Sequence, residues 1–358
     1  MRNQFFILSI LLFILTICVG FLINYFSIQS HSEKNKIANN EHSIHIGLLT
    51  EKSTKTKKEK ELLFSNEFTT SFTSKKGLIL VNADLNGNKR KFLLDSGLGS
   101  DLILNSEVKH IGRLQDSENH LNGIGGESEN LQTTWINSFS WMGINFKNAQ
   151  VNALPLSNIM TNENDDFAGI IGFGAFSNYQ LTLDYRCNIL KATKKKDLVK
   201  EAKENGELLT TILFKFEQHM PVFGVEINGF KYKMALDTGA TINLINSKHF
   251  KNLEKAVVDL KESNVNGISG KTTSKKGLIK HTKINNISYD NMMYCFDSSS
   301  LKNLNTKYGL GIDGILGYEF LKQNITVIDF ISKEIRVYDG NFINPKSQEN
   351  IDKIKHTA

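Results

Sequence analysis

The sequence predicts an all-β protein made of two homologous β-barrel lobes, preceded by an N-terminal transmembrane helix. Three observations predict this class. Short apolar runs separated by Asn, Gly and Ser turns dominate residues 76–340, which is typical of barrels. A set of motifs occurs twice in one order, which indicates an internal duplication. One apolar stretch near the amino terminus is long enough for a membrane-spanning helix.

The apolar stretch runs from Phe5 to Phe26 in a chain of 358 residues. Arg2 precedes it and no basic residue follows until Lys34, so the body of the protein is expected outside the cytoplasm, in the periplasm or at the cell surface. We therefore interpret residues 1–28 as a signal anchor. A leader that is removed is one alternative, and a lipoprotein anchored through Cys18 is another.

Composition predicts the order of the remaining segments. The part before the first lobe is polar and weakly patterned, which favours a tether. The part between the lobes is charged and favours a helix. The predicted order is a tether at 29–75, a first lobe at 76–191, a linker at 192–207, a second lobe at 208–340 and a polar tail at 341–358.

Charge and cysteine content exclude several functions. The formal net charge is +6, and no basic stripe is interleaved with aromatic residues, so no nucleic-acid partner is expected. No Cys/His cluster has the spacing of metal ligands, so neither a metal nor a cofactor is expected. Cys187 and Cys295 fall at non-equivalent places in the two repeats, and a disulfide between them stays open.

The repeated motifs keep an almost constant spacing. Each repeat begins with an Asn-Gly hairpin between apolar runs, which is a strong short-range signal for a β-hairpin. Later motifs follow in the same order, at offsets of 142, 144 and 145 positions. The matched pairs are Asn86-Gly87 with Asn228-Gly229, Asp95 with Asp237, Asn122 with Asn266, Gly169 with Gly314, and Asp184 with Asp329.

The central motif is an aspartate loop between two apolar strands, at Asp95–Gly97 and again at Asp237–Gly239. A single Asp-Ser-Gly or Asp-Thr-Gly is most simply a turn, because all of these residues favour turns. Two matched loops also allow acid–base chemistry by a pair of carboxyl groups. Their carboxyl groups can face each other and share one proton, so that one acts as a base and the other as an acid.

With Asp-Ser-Gly and Asp-Thr-Gly each followed by an apolar-apolar-Gly element, at Ile170–Gly172 and Ile315–Gly317, residues 76–340 resemble aspartic proteases of the pepsin and retropepsin clan. The likeness is to the bacterial retropepsin-like type with both halves in one chain. It implies an endopeptidase in which Asp95 and Asp237 activate a water against a peptide carbonyl. It also implies lobes of about six to seven strands each, a peptide or protein substrate and a monomeric active unit. A non-catalytic peptide-binding protein that retains the fold is the alternative. In related zymogens a prosegment covers the active site, which is the alternative to a plain tether for residues 29–75.

The resemblance also implies roles for neighbouring residues. The hydroxyls of Ser96 and Thr238 are expected to bond across the lobe interface, and Gly97 and Gly239 to allow the backbone to approach the carboxyl groups. Two glycine-rich tips resemble flaps that cover a bound peptide, with ordinary β-turns as the alternative. The predicted flap residues are Gly123, Ile124, Gly125 and Gly126 in the first lobe and Gly267, Ile268, Ser269 and Gly270 in the second.

Leu98 and Ala240 depart from the pattern of many pepsin-like enzymes, which carry a hydroxyl at these positions. Because that hydroxyl bonds a catalytic carboxylate, its loss raises the pKa of the pair. We therefore expect activity at mildly acidic to neutral pH. Leu98 is also the one residue that favours the binding-protein alternative. Asp184 and Asp329 repeat as well, but they lie within strand patterns and are expected to be structural.

Overall fold

The computed structural model describes residues 67–109, 111–117, 122–123, 126–127, 131–160, 166–267, 270–297 and 299–341. The predicted anchor at 1–28 and most of the predicted tether and tail therefore lie outside the described residues. Within the described ranges, no helix is long and apolar enough to cross a membrane.

Strands make up most of the described chain. In the first half they are β1 (Glu67–Ser71), β2 (Thr73–Lys75), β3 (Leu78–Leu85), β4 (Asn88–Asp95), β5 (Leu102–Asn105), β6 (Gln115–Asp116), β7 (Asn122–Gly123), β8 (Gly126–Glu127), β9 (Gln132–Trp141), β10 (Ile144–Leu154), β11 (Phe167–Gly172), β12 (Gln180–Asp184) and β13 (Ile189–Thr193). In the second half they are β14 (Leu208–Leu213), β15 (Lys215–Glu217), β16 (Met220–Ile227), β17 (Phe230–Leu236), β18 (Asn243–Ile245), β19 (Val257–Gly267), β20 (Gly270–Ile279), β21 (Thr282–Ile284), β22 (Ile287–Tyr289), β23 (Met292–Phe296), β24 (Gly314–Leu316), β25 (Ile325–Asp329) and β26 (Glu334–Tyr338).

Helices are short and lie between the strands. They are α1 (Phe173–Phe176), α2 (Leu198–Asn205), α3 (Phe250–Leu253), α4 (Ser299–Tyr308) and α5 (Tyr318–Leu321), with 3-10 turns at Ser247–His249 and Glu254–Ala256. The α2 helix is capped by Asp197, whose carboxylate accepts a hydrogen bond of 3.0 Å from the amide of Lys200. Such a cap stabilises the first turn of a helix.

Two large barrel-like sheets have the same strand order. The N-terminal sheet runs β2-β3-β4-β11-β5-β10-β9-β6. The C-terminal sheet contains the corresponding series β15-β16-β17-β24-β18-β23-β20-β19, with β21 and β22 added beside β16. In both, an aspartate-bearing strand pairs in parallel with the apolar-apolar-Gly strand, β4 with β11 and β17 with β24. The duplication seen in the sequence is therefore a duplication of topology.

A third sheet, here called the shared sheet, takes three strands from each half in the order β1-β13-β12-β25-β26-β14. The order is palindromic, because β12 and β25 are matched strands that pair with each other at the centre. Thr182 lies opposite Val327 and Leu181 opposite Ile328, which places a pseudo-two-fold axis between the two strands. The shared sheet thus joins the two halves through backbone hydrogen bonds.

The predicted Asn-Gly hairpins are confirmed. Asn86 and Gly87 have φ of 53° and 79°, and Asn228 and Gly229 have φ of 49° and 84°. Positive φ at both central residues defines a type I′ turn, whose twist matches that of the flanking strands. Each turn joins the two strands that lead to an aspartate loop, β3 to β4 and β16 to β17.

Three details differ from the sequence prediction. The large sheets have eight and ten strands rather than six or seven, because long hairpins and short edge strands extend them. The predicted tether reaches residue 75, but Glu67–Ser71 already forms a strand along β13. The sequence did not predict this strand because most of its side chains are polar, and a strand at the edge of a sheet needs few apolar residues. The predicted linker likewise includes the end of β13, and its helix-favouring part forms α2. The bounds of the two lobes stay a prediction.

Candidate active site

The two aspartate loops meet where the matched halves of the chain face each other. Asp95 is the last residue of β4, and Gly172 of the parallel strand β11 lies opposite it. In the second half, the amide of Asp237 donates a hydrogen bond of 2.9 Å to the carbonyl of Leu316. Each aspartate is therefore held at the end of a buried strand by its neighbour in the sheet.

The Gly elements lie directly beneath the aspartate loops. A Cβ atom at Gly172 would lie 2.1 Å from the carbonyl oxygen of Ser100, and one at Gly317 would lie 2.3 Å from that of Ala240. No larger residue fits such an approach. Just beyond, the amide of Phe173 donates a hydrogen bond of 2.7 Å to the carbonyl of Leu98. In the second half, the amide of Tyr318 donates one of 2.8 Å to the carbonyl of Ala240. These bonds fix the shape of both loops.

Hydroxyl groups connect the two loops across the pseudo-two-fold axis. The amide of Ser96 donates to Thr238 Oγ1 at 2.9 Å, and the amide of Thr238 donates to Ser96 Oγ at 3.0 Å. Thr238 Oγ1 also donates to the carbonyl oxygen of Leu94 at 3.2 Å. Both side chains are buried, so these bonds are shielded from water. The structure thus brings together the two hydroxyls that the sequence singled out.

The carboxyl groups of Asp95 and Asp237 share one backbone donor. The amide of Gly97 donates to Asp95 Oδ1 at 2.8 Å and to Asp237 Oδ1 at 3.0 Å, while the amide of Gly239 donates to Asp237 Oδ1 at 2.8 Å. Each glycine packs against the opposite aspartate, because a Cβ at Gly97 would lie 2.5 Å from Asp237 Oδ2 and one at Gly239 would lie 2.4 Å from Asp95 Cγ. The two aspartates and the two glycines, all predicted from the sequence, therefore form one cluster.

The two carboxyl groups are not equivalent. Burial raises the pKa of Asp95 well above its ordinary value, and the charge of Asp237 raises it further. Burial also raises the pKa of Asp237, but the amides of Gly239 and Gly97 and the charge of His219 act in the opposite direction. Two carboxyl groups this close bind one proton between them. These contributions favour the proton on Asp95 and the charge on Asp237.

Comparisons with protein families and with solved structures both found similar proteins. Residues 223–320 match the family model described as aspartyl protease. This stretch of the second half, which includes Asp237, is therefore similar to aspartyl proteases. The resemblance to aspartic proteases of the pepsin and retropepsin clan, predicted from the sequence, is thereby confirmed. Among solved structures, the aspartic proteinase from Irpex lacteus aligns with 78% of this chain and 99% of its own, at 13% identity and a TM-score of 0.48. No curated protein matches the chain.

The two glycine-rich tips predicted from the sequence lie on hairpins. Gly123 pairs with Gly126 in the small sheet formed by β7 and β8, and β7 lies against α4 of the other half. Gly267 pairs with Gly270 at the tip of the long β19–β20 hairpin. Ile124, Gly125, Ile268 and Ser269 lie outside the described residues. The hairpins are thus present where the sequence places them, and their role as flaps stays a prediction.

Leu98 and Ala240 do not face the carboxyl pair. Leu98 is 9% exposed and packs in the apolar core of the N-terminal sheet with Leu93 and Ile170. Ala240 occupies the matched place in the core of the C-terminal sheet. The bulk of Leu98 therefore packs into the core, and this residue no longer favours a non-catalytic protein.

Asp184 and Asp329 are structural, as expected. Asp184 Oδ1 accepts from the amide of Arg186 at 2.9 Å, and Asp329 Oδ1 accepts from the amide of Ser332 at 2.9 Å. Each carboxylate therefore closes the turn after its own strand. Cys187 and Cys295 are free thiols and form no disulfide. Among the residues with described positions, no group of three or more His, Cys, Asp or Glu is arranged to hold a metal.

Sequence reasoning missed three residues that surround the pair. His219 contacts the Asp95 loop, and Tyr185 and Tyr318 form an aromatic pair with ring centroids 5.3 Å apart on the Asp237 side. Burial raises the pKa of Tyr185, and the charges of Tyr318 and Asp237 contribute to the rise. The sequence does contain a signal for two of them. Aligning the repeats places Gly77 against His219 and Phe330 against Tyr185, so the two halves differ at these positions.

Proposed function

We propose that the protein is an aspartic endopeptidase that hydrolyses peptide bonds with a water activated between Asp95 and Asp237. The observation that carries this proposal is the shared amide of Gly97, which donates to Asp95 at 2.8 Å and to Asp237 at 3.0 Å. One backbone group thus holds the carboxyl groups of both halves at bonding distance. Such a pair has both a base and an acid ready at the same point.

The proposed roles follow from the inequality of the pair. Asp237 has the less strongly raised pKa and is the carboxylate that takes a proton from the water. Asp95 has the more strongly raised pKa and donates its proton to the carbonyl oxygen of the peptide. The water attacks the carbonyl carbon to form a tetrahedral intermediate. Asp237 then passes its proton to the nitrogen, the C–N bond breaks to release the amine, and Asp95 takes back a proton from a hydroxyl of the intermediate. No covalent bond to the protein is needed in this sequence of steps.

The proposal includes the setting of the enzyme. Because one chain supplies both aspartates, we propose a monomeric active unit. The apolar stretch from Phe5 to Phe26, with Arg2 before it, supports a membrane anchor with the catalytic body outside the cytoplasm. The substrate is a peptide or a protein, and the two glycine-rich hairpins are proposed to close over it.

Cleavage of a peptide library by the full-length protein in detergent tests the proposal. Incubation from about pH 4 to about pH 8, a range that brackets the titration of a perturbed carboxyl pair, is followed by mass spectrometry of new termini. The protein is expected to produce internal cuts. Asp95→Asn and Asp237→Asn are each expected to lower the rate by roughly 10²–10⁴-fold, the usual contribution of a general acid or base.

Asp259→Asn is the matched control. Asp259 is exposed and has φ of 54°, a conformation that asparagine tolerates, so the same chemical change occurs away from the site. It is expected to cleave like the wild type. Folded wild-type protein that binds library peptides and cuts none would instead identify a peptide-binding protein. Cuts that persist in both aspartate variants would place the chemistry elsewhere.

A further inference from the structure

The second half of the chain supplies a histidine to the aspartate loop of the first half. His219 lies in the turn between β15 and β16, and its Nε2 is 2.7 Å from the carbonyl oxygen of Gly97. The ring lies close to Gly99, since a Cβ there would be 2.9 Å from Nδ1. On another side its centroid is 6.1 Å from that of Phe173. The ring is therefore held between the loop and an aromatic neighbour.

The contact fixes which nitrogen carries a proton. A carbonyl oxygen only accepts hydrogen bonds, so Nε2 of His219 must be the donor, whether the ring is neutral or charged. The accepting carbonyl belongs to Gly97, whose own amide donates to both carboxyl groups. One residue thus receives a bond from the histidine and gives bonds to the pair. Gly97 therefore links His219 to Asp95 and Asp237 through hydrogen bonds.

The matched position in the other half carries no side chain. Leu78 lies opposite Lys75 across the β2–β3 turn, as Met220 lies opposite Glu217 across the β15–β16 turn. The turns therefore superpose Gly77 on His219. A Cβ at Gly77 would lie 2.5 Å from the ring of Tyr318, which fills the space that the imidazole fills on the other side. The first half therefore has no side chain at this position that could donate such a bond to the Asp237 loop.

The charge of the ring also acts on Asp237. When protonated, His219 favours the ionised form of Asp237. The carboxylate of Glu217, its neighbour in the hairpin, is bound to Lys233 at 2.8 Å and is thereby partly neutralised. Along the two aspartate loops and the β15–β16 hairpin next to the turn, the other ionisable side chains are those of Asp95, Asp101, Asp237, Lys215 and Glu217.

We propose that His219 is a positioning residue that makes the aspartate pair unequal. Its Nε2–H bond to the Gly97 carbonyl holds the Gly97 amide toward both carboxyl groups, and its charge favours a proton on Asp95 rather than on Asp237. This proposal rests on the proposed protease function. It names the residue that breaks the two-fold symmetry of the site, a role for which the first half has only Gly77.

Two variants of the full-length protein separate the bond from the charge. His219→Phe keeps a ring beside Phe173 but removes both the donor and the charge, and His219→Gln keeps a neutral amide donor. His219→Phe is expected to lower kcat by roughly 10–10²-fold with little change in KM, because the loss concerns alignment rather than peptide binding. His219→Gln is expected to recover most of kcat.

The pH profile supplies a readout that a merely structural role would not change. Because a protonated imidazole lowers the pKa of Asp237, losing it raises that pKa. The acidic limb of kcat/KM is therefore expected to move to higher pH in both variants. An unchanged kcat in His219→Phe together with an unmoved acidic limb would overturn the proposal.

A titration by carbon-13 NMR works even if no substrate is cleaved. With aspartate carboxyl groups labelled and the Asp237 signal assigned by its loss in Asp237→Asn, the signal is expected to titrate at higher pH in His219→Gln than in the wild type. This shift with no cleavage by the wild type would refute the proposed function and keep the positioning role. Cleavage that depends on both aspartates, without the shift and with normal kcat in His219→Phe, would refute the positioning role alone.

Discussion

The loops around Asp95 and Asp237 have the same backbone and different neighbours. Both end a strand that pairs with a Gly element, and the two loops exchange bonds through Ser96 and Thr238. On the Asp95 side the neighbour is His219, which donates to the loop. On the Asp237 side the neighbours are the phenol rings of Tyr185 and Tyr318. The backbone is thus symmetric where the side chains are not.

The difference separates two tasks that the site must perform. A symmetric backbone brings two identical acids together, which forces them to share a proton. Symmetry alone leaves open which acid keeps it. Unequal neighbours decide this, and a duplicated chain can acquire them because each half mutates independently. A homodimer would place the same residue on both sides.

The same contrast occurs in the shared sheet and gives the largest expected effect. Arg336 of β26 and Lys191 of β13 occupy matched positions, and both bind carboxylates of α2. Arg336 is 1% exposed and bonds Glu201 through Nε and Nη2 at 2.8 and 3.0 Å, whereas Lys191 is 22% exposed and reaches Glu204 at 2.8 Å. Arg336→Met is expected to lower the free energy of unfolding by about 3–5 kcal/mol, since it leaves buried charge unpaired.

Lys191→Met is the matched control, with an expected loss of about 0–1 kcal/mol because its ion pair is partly hydrated. Denaturant unfolding measures both. The double variant Arg336→Met with Glu201→Gln is expected to recover part of the loss, since that carboxylate is no longer charged. Equal losses for the two single variants would show that the matched positions contribute alike.

The glycines beside the carboxyl groups are expected to behave alike in the two halves. Gly97→Ala and Gly239→Ala each push a methyl group into the opposite aspartate, at 2.5 and 2.4 Å. Displacing a catalytic group by about 1 Å costs roughly 10²-fold in rate. We expect that loss of kcat in both variants, measured on any peptide that the wild type cuts. A large loss in only one of them would mean that the pair is less symmetric in its backbone than described.

The hydroxyl bonds between the loops are expected to be unequal in strength. Thr238→Val keeps the shape but leaves the amide of Ser96 unpaired and removes the bond to the Leu94 carbonyl. Ser96→Ala leaves only the amide of Thr238 unpaired. Because an unsatisfied buried donor costs about 1–3 kcal/mol, we expect Thr238→Val at the upper end and Ser96→Ala at the lower end. Thermal unfolding of both variants beside Thr238→Ser gives the comparison, and the reverse order would contradict it.

The raised pKa of Asp95 predicts a modest dependence of stability on pH. A carboxyl whose pKa rises on folding contributes its full stability below the unfolded pKa of about 3.9, and that contribution is lost as the pH rises through the folded pKa. Relative to Asp95→Asn, the wild type is therefore expected to lose stability above about pH 4, by at most about 1.4 kcal/mol per pH unit. Parallel stability curves for the two proteins would show that Asp95 ionises as in the unfolded chain.

Local motifs explain why so much of the site was readable from the sequence. The aspartate loops, the supporting Gly elements and the Asn-Gly hairpins are short segments whose backbone shape requires particular residues. Ser96 and Thr238 follow their aspartates directly, so their roles came with the motif. Repetition then supplied the pairing, because each half predicted the placement of the other.

Other parts needed the packed structure. His219 lies far along the chain from Gly97, and no local pattern indicates that a turn will bring its ring to that carbonyl. The buried position of Arg336 depends on where α2 lies against the shared sheet, which the sequence of α2 does not encode. Leu98 looked like an obstacle to catalysis because burial in the core is invisible in a loop motif.

Mixing two inactive variants tests most directly whether both halves of one chain form the site. Asp95→Asn and Asp237→Asn are purified separately at full length, combined in equal amounts, and assayed on a peptide that the wild type cuts. A monomeric active unit predicts no activity beyond the sum of the two variants, because no molecule contains both aspartates. Recovery of cleavage to about a quarter or more of the wild-type rate, as subunits of a dimer exchange, would contradict a site built within a single chain.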